Sequence, residues 1–236
     1  MRKPKVIIMD LGDTIIHNDS FDFIKGLKYL HQNVLSENTK WEDVLFWNNL
    51  LQSKTYCLRE QTHLEIRLFD YINILQQVFG FRNLTSVATA ELVFFEATTI
   101  DSLEPNVTIF LEHCYQAKIP VYILSNSTFS EEVLWHQLNK YCLAQYIKKV
   151  FSSANYLVRK PDNTFFELAI ACIIREEEIE RRDIWYIGNS QTVDILGARR
   201  VGLLAIWYSR DYKSLSLPIH ENIITSYDQL LLWFQQ

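Results

Sequence analysis

No two of the four cysteines, Cys57, Cys114, Cys142 and Cys172, stand at C-x-x-C spacing. A disulfide framework or a thiolate zinc site is therefore not expected, and each thiol, with its apolar neighbours, reads as a core residue. The six histidines make no H-x-x-x-H or H-E-x-x-H pattern, the usual helical signature of a catalytic zinc. Positive charge is not in surplus: the formal net charge is -5. A protein that binds nucleic acid by neutralising phosphates needs a basic excess, so nucleic acid is not an expected partner. No apolar run approaches the ~18 residues of a membrane span. The run over residues 6–9 follows a basic start but is cut by Asp10, too short for a signal segment. A cytoplasmic location and no membrane partner follow by default. There is no fixed-period repeat and no low-complexity linker. The oligomeric state is left open.

What the chain does have is apolar mass: 48% hydrophobic and 14% aromatic over 236 residues. That length suits one large domain, or one domain carrying a smaller insertion, with no need of staples. The mixed-sign stretch 175–182, REEEIERR, reads as a solvated loop or helix end.

Residues 6–9, VIIM, form a short β-branched run that predicts a buried parallel strand. Residues 20 to 98 read as helix throughout, with no convincing strand. Apolar residues recur at helical spacing from Phe21 to Leu30. Thr39 and Glu42 have the spacing of a capping box for a second helix. A third stripe covers 64–79, closed by Gly80, and a fourth covers 84–97. The aromatic residues of this stretch, among them Phe21, Phe46, Tyr56 and Phe95, are expected mostly in its core.

Beyond Pro105 the pattern alternates. Helix is predicted over 107–116, strand over 121–124, and a helix capped by the Thr128/Glu131 pair toward residue 141. Strand 150–151, a helix from Asp162 or Asn163 through residue 174, strand 184–187, a helix near 193–200, strand 203–207 and a helix over 228–234 follow. Such alternation implies a doubly wound, Rossmann-like α/β fold with a parallel sheet covered on both faces. The expected organisation is a core of residues 1–15 and 101–236, with an all-helical insert, a cap, over 16–100. The hinges fall near 15–20 and 98–103.

In such a sheet the ligand site lies beyond the carboxyl ends of the strands. There stand Asp10, Ser125 with Asn126, Lys160, and Asn189 with Asp194. A carboxylate nucleophile, a neutralising lysine and oxygen donors for a hard cation form one chemical set.

These segments, VIIMDLGDTI over 6–15, VYILSN over 121–126, FSSANYLVRKP over 151–161 and YIGNS over 186–190 with Asp194, resemble the haloacid dehalogenase (HAD) superfamily. The resemblance runs almost end to end over the core and is to the subfamily with a helical cap after the first motif. It implies Asp10 as the nucleophile that forms an aspartyl-phosphate, and Ser125 and the Asn126 amide as ligands of the phosphoryl oxygens. It implies Lys160 as partner of Asp10 and phosphate, and Leu11 and Gly12 as part of the phosphate cradle. Mg²⁺ would be held by Asp10, the Gly12 carbonyl, Asn189 and Asp194. The implied partner is a small phosphorylated metabolite.

Two positions depart from the pattern. The family's phosphatases read Asp-x-Asp-x-Thr, and Gly12 stands where the second, acid/base Asp belongs. Asp13 is displaced by one, and neighbours on an extended segment point opposite ways. Asn189 stands where Asp is usual, which adds an oxygen ligand but no charge. Slow catalysis, or substrates with good leaving groups such as acyl or anomeric phosphates, would follow. Metal-independent 2-haloacid dehalogenation and a catalytically weak binding or regulatory role are the alternatives.

Overall fold

In a computed structural model the chain is described over residues 3–83, 85–210 and 222–235, without the side chains of Cys57, Glu60 and Gln235. The elements are β1 (Val6–Met9), β2 (Ile16–Phe21), α1 (Phe23–Asn33), α2 (Trp41–Thr62), α3 (Leu68–Phe79), α4 (Val87–Thr98), β3 (Thr99–Leu103), α5 (Val107–Gln116), β4 (Val121–Ser125) and α6 (Glu131–Lys140). They continue as β5 (Ile147–Ser152), α7 (Ser153–Tyr156), α8 (Asn163–Glu177), β6 (Ile184–Gly188), α9 (Leu196–Arg200), β7 (Leu204–Tyr208), β8 (Ile223–Ile224) and α10 (Tyr227–Gln235).

Six strands make one sheet in the order β5-β4-β1-β6-β7-β8, and every pairing in it is parallel. The apolar runs explain it. In β1, Ile7 and Met9 join the core on one face of the sheet while Val6 and Ile8 join the other. A strand buried on both faces has no polar position to spare. β1 is central; the chain builds outward to β4 and β5 on one side, then returns to β6 on the other. The crevice at that reversal is where a doubly wound sheet binds its ligand.

Residues 16–103 leave the sheet after β1 and return before α5. They are not helical at their ends: β2 and β3 pair antiparallel, Ile16 opposite Leu103 and Phe21 opposite Thr99, with an irregularity between Asn18 and Ser20. The expectation of an all-helical insert over 16–100 is therefore corrected at both margins. The cause is non-local pairing, which a helical periodicity does not reveal. Between the strands, α1 is capped by Asp22, whose carboxylate accepts from Lys25 N at 3.0 Å.

Neither predicted capping box forms. α2 starts after Lys40 with no side-chain cap, and Glu42 and Asp43 in its first turn favour the helix dipole instead. At α6 the distant carboxylate of Glu91 accepts from Ser130 N and Oγ, and the Asn155 side chain accepts from Glu131 N, so tertiary partners satisfy the donors that a local box would have taken. α3 begins at Leu68; Leu64 instead bridges to Val158. α4 begins at Val87, and Leu84 lies outside the described residues. Asp162 does cap α8, accepting from Thr164 N. β8 was not foreseen.

One burial expectation also fails: Cys114 is buried, but Cys142 is exposed and Cys172 only partly covered. The aromatic residues of the insert are mostly core, as expected: Phe94 and Phe95 are buried, and Phe23, Trp41, Trp47 and Tyr71 pack against the same cluster, whereas Phe21, Phe46 and Tyr56 are exposed. Among the described residues no helix is long and apolar enough to cross a membrane.

Candidate active site

Asp10 follows β1, Ser125 ends β4, Asn189 follows β6, and Lys160 lies in the loop before α8. All four, with Leu11, Gly12, Asn126 and Asp194, line one cavity of about 670 Å³. Its opposite wall comes from the inserted segment: Phe21, Phe23, Tyr71 and Phe95, with Arg59 and Arg67. Every residue that the sequence reading assigned to the site is thus on this cavity.

At its floor Lys160 is 2% exposed. Its ammonium lies 2.7 Å from Asp10 Oδ1 and 2.6 Å from Asp194 Oδ1. It also donates to the Tyr186 hydroxyl at 2.9 Å, and that hydroxyl donates to Asp194 Oδ1 at 2.7 Å. The other oxygen of Asp194 accepts from Ser190 N at 2.9 Å. Thr14 Oγ1 donates to Asp10 Oδ2 at 3.3 Å. Burial raises the Asp10 carboxyl to about 6; the Lys160 ammonium opposes this and the Asp194 charge adds to it. Burial works against the Lys160 charge, but the two carboxylates outweigh it and its pKa is raised. Tyr186, buried among these charges, stays a neutral phenol.

Tyr186 was missed by the sequence reading. Its signal was a hydroxyl in a strand of otherwise apolar side chains, two residues before Gly188 and so on the same face. Gly188 itself is required: a Cβ there would lie 2.6 Å from Asp194 Cβ and Cγ, so a side chain would drive Asp194 off Lys160.

Asn126 is tied down differently. Its side chain accepts from Lys160 N and donates to Lys160 O, each at 2.8 Å. It fixes the lysine's backbone. The carbonyl of Asn189 accepts from Trp207 Nε1 at 2.8 Å. Asp13 lines the same cavity as Asp10. It adopts φ 54°, and its carboxylate accepts from Asn18 N at 3.0 Å and lies 2.9 Å from His17 Nδ1.

As for a metal, the donors available are carboxylate, carbonyl and amide oxygens, the set a hard cation prefers. Asp10 and Asp194 place two buried carboxylates beside the one ammonium of Lys160. Asp13, His17 and Glu104 also approach one another; Glu104 accepts from Arg210 and Tyr208, as Asp194 does from Lys160, Tyr186 and Ser190 N.

No curated protein matches this sequence. Solved structures share its fold. They include a 2-haloacid dehalogenase from Pseudomonas syringae pv. Tomato DC3000 (17% identity, TM-score 0.63, covering 100% of this chain and 99% of that one). A HAD phosphatase from Thermococcus onnurineus is similar (16%, TM-score 0.59, 99% and 98%). So is the HAD-hydrolase YfnB from Bacillus subtilis, bound to magnesium (18%, TM-score 0.58, 100% of both chains). The family model described as haloacid dehalogenase-like hydrolase matches residues 7–208, from within β1 to the end of β7, and with the Asp10–Lys160–Asp194 cluster inside that span the chain belongs to this family of hydrolases.

Proposed function

We propose that the chain is a Mg²⁺-dependent phosphatase of a small phosphorylated metabolite, with Asp10 as nucleophile and residues 16–100 acting as a cap over the site. The observation that carries this reading is the buried Asp10–Lys160–Asp194 cluster on a cavity roofed by the inserted segment. An anionic nucleophile attacking an anionic phosphate needs positive compensation in a water-poor site. Mg²⁺ would be held by Asp10, the Gly12 carbonyl, Asn189 and Asp194, and would supply charge neutralisation to carboxylate and phosphoryl oxygens. Lys160 orients Asp10 and neutralises part of the phosphate charge. Ser125 and the Asn126 main chain bind phosphoryl oxygens. Tyr186 keeps Lys160 and Asp194 in register. The cap excludes water and selects the substrate.

Without a carboxylic acid at position 12, the leaving group receives no proton. General acid help is typically worth ~10²–10⁴-fold, so good leaving groups suffer least. The test is a panel of phosphorylated metabolites assayed with and without Mg²⁺, beside Asp10→Asn. We expect Mg²⁺-dependent phosphate release that Asp10→Asn abolishes. Release by Asp10→Asn at the parent rate would sink the assignment.

A second reading, 2-haloacid dehalogenation, is favoured by the aromatic wall of Phe21, Phe23 and Phe95 and needs no acid at position 12. Halide release from a 2-haloacid that survives EDTA would select it.

A further inference from the structure

We infer that Asn18 takes the place of the missing general acid as a hydrogen-bond donor to the leaving group. The site is thereby restricted to phosphorylated compounds whose leaving oxygen departs as a carboxylate or phenolate on an apolar body. This rests on the phosphatase reading above and deepens it.

A Cβ built on Gly12 would lie 3.0 Å from Asn18 Nδ2. The carboxyl carbon of an acid at position 12 would extend about 1.5 Å further, one carbon–carbon bond. The Asn18 amide therefore stands beside the place where the side chain of such an acid would start. It reaches there from β2, the first strand of the inserted segment, and lines the same cavity as Asp10. Its backbone is anchored, since Asn18 N donates to Asp13 Oδ1. The short bridge between Gly12 and Ile16 folds the turn back on itself.

A carboxamide donates a hydrogen bond but does not give up its proton at neutral pH. In the first step an Asp10 oxygen bonds to phosphorus and the bond from phosphorus to the leaving oxygen breaks. The electron pair leaves with that oxygen as an anion, hydrogen-bonded to Asn18 Nδ2–H and not protonated. In the second step a water oxygen bonds to phosphorus, the phosphorus–Asp10 bond breaks and its electron pair returns to Asp10. Both water protons end on the dihydrogen phosphate product. A carboxylate or phenolate leaves on these terms; an alkoxide does not. The wall the leaving group meets is Phe21, Phe23, Tyr71 and Phe95, which suits an apolar, ring-sized body.

The experiment compares benzoyl phosphate, phenyl phosphates of graded phenol acidity, and benzyl phosphate, all with Mg²⁺. The parent protein, Asn18→Ala and Asn18→Asp are assayed, with thermal unfolding to check that each is folded. For the parent we expect kcat/KM to climb steeply with leaving-group acidity, benzoyl phosphate exceeding benzyl phosphate by at least ~100-fold. Asn18→Ala should lower kcat on benzoyl phosphate by roughly 10- to 100-fold, the scale of a lost anion donor, with KM little changed. Asn18→Asp restores an acid beside Gly12. It should raise benzyl phosphate turnover by about tenfold or more and flatten the dependence. Unchanged kinetics in Asn18→Ala, or an equal effect of Asn18→Asp on all substrates, would overturn the role of Asn18 while the phosphatase reading stands. No Mg²⁺-dependent turnover of any of these compounds by the parent protein would overturn both.

Discussion

Two carboxylates, Asp10 and Asp194, share the single ammonium of Lys160 in a buried space. The burial of Asp10, to which the Asp194 charge adds, has a measurable consequence for stability. In the folded chain the Asp10 carboxyl keeps its proton to about pH 6, against an ordinary value of 3.8. Between those values the folded state binds more protons than the unfolded one. Stability therefore falls as pH rises through that window and stays reduced above it. Asp10→Asn removes the excess charge and keeps an oxygen for Lys160 to meet. In metal-free solution we expect it to be more stable than the parent at pH 7.5, on the order of 2 kcal/mol, with the gain shrinking as pH is lowered toward 4. Mg²⁺ should raise the melting temperature of the parent and not of the variant. Paired melting curves at several pH values check this; a difference independent of pH would contradict it. Such a penalty at the proposed nucleophile would be the ordinary trade of stability for function.

Among the elements, the strands of the sheet were legible because burial on both faces writes an unbroken apolar run into each. Its ends were legible because chemistry-bearing residues followed them: Asp10, Ser125, Asn189. Less legible were features that depend on a partner distant in sequence. The 16–21 and 99–103 segments are strands only because each finds the other, and the start of α6 is capped by Glu91 from 39 residues upstream. Tyr186 and Asn18 became visible only when the register of β6 and the turn after β1 were known.

The β2–β3 ribbon is held to the core largely through Asp101. Its side chain, fully covered, accepts from Gln137, Lys140 and Tyr141, each at 2.6 Å. Burial alone would raise the Asp101 carboxyl, but the bonds from Lys140, Tyr141 and Gln137 outweigh it and its pKa is lowered. Its contribution is accordingly full above the unfolded value of 3.8 and lost as pH falls through the lower folded value. We expect Asp101→Ala to cost about 2 kcal/mol at neutral pH. The deficit should narrow in acid, where the parent's carboxylate is protonated too. Urea unfolding of both proteins across pH 3 to 7 measures it, and a deficit constant down to pH 3 would argue against the charged contacts.

Seen whole, the molecule closes its cavity by docking residues 16–103 onto the sheet's carboxyl edge, and the docking is polar at its far side. Glu65, its side chain fully covered, lies 3.2 Å from Arg59 Nε and 3.6 Å from Arg159 Nε, and accepts from Ser153 Oγ at 2.7 Å. Backbone bonds flank it: Glu65 N to Leu157 O, Arg159 N to His63 O and Leu68 N to Thr128 O. Glu65→Ala would leave two guanidinium groups without the carboxylate between them. Removing one partner from a buried ion pair typically costs about 3–5 kcal/mol. The chain can escape most of that by undocking the segment and returning both arginines to water. We therefore expect Glu65→Ala to increase the radius of gyration in small-angle scattering and to speed amide exchange at residues 65, 68 and 159. The exchange within β1 and β4 should be far less altered, because their cores on both faces of the sheet stay packed. If the melting temperature falls while the radius and the exchange at those amides hold, Glu65 acts as a simple stabilising contact and the segment does not swing on it. If both move, the residue that closes the cavity sits on the inserted segment itself, well apart from Asp10, and closure can be tuned without touching the chemistry.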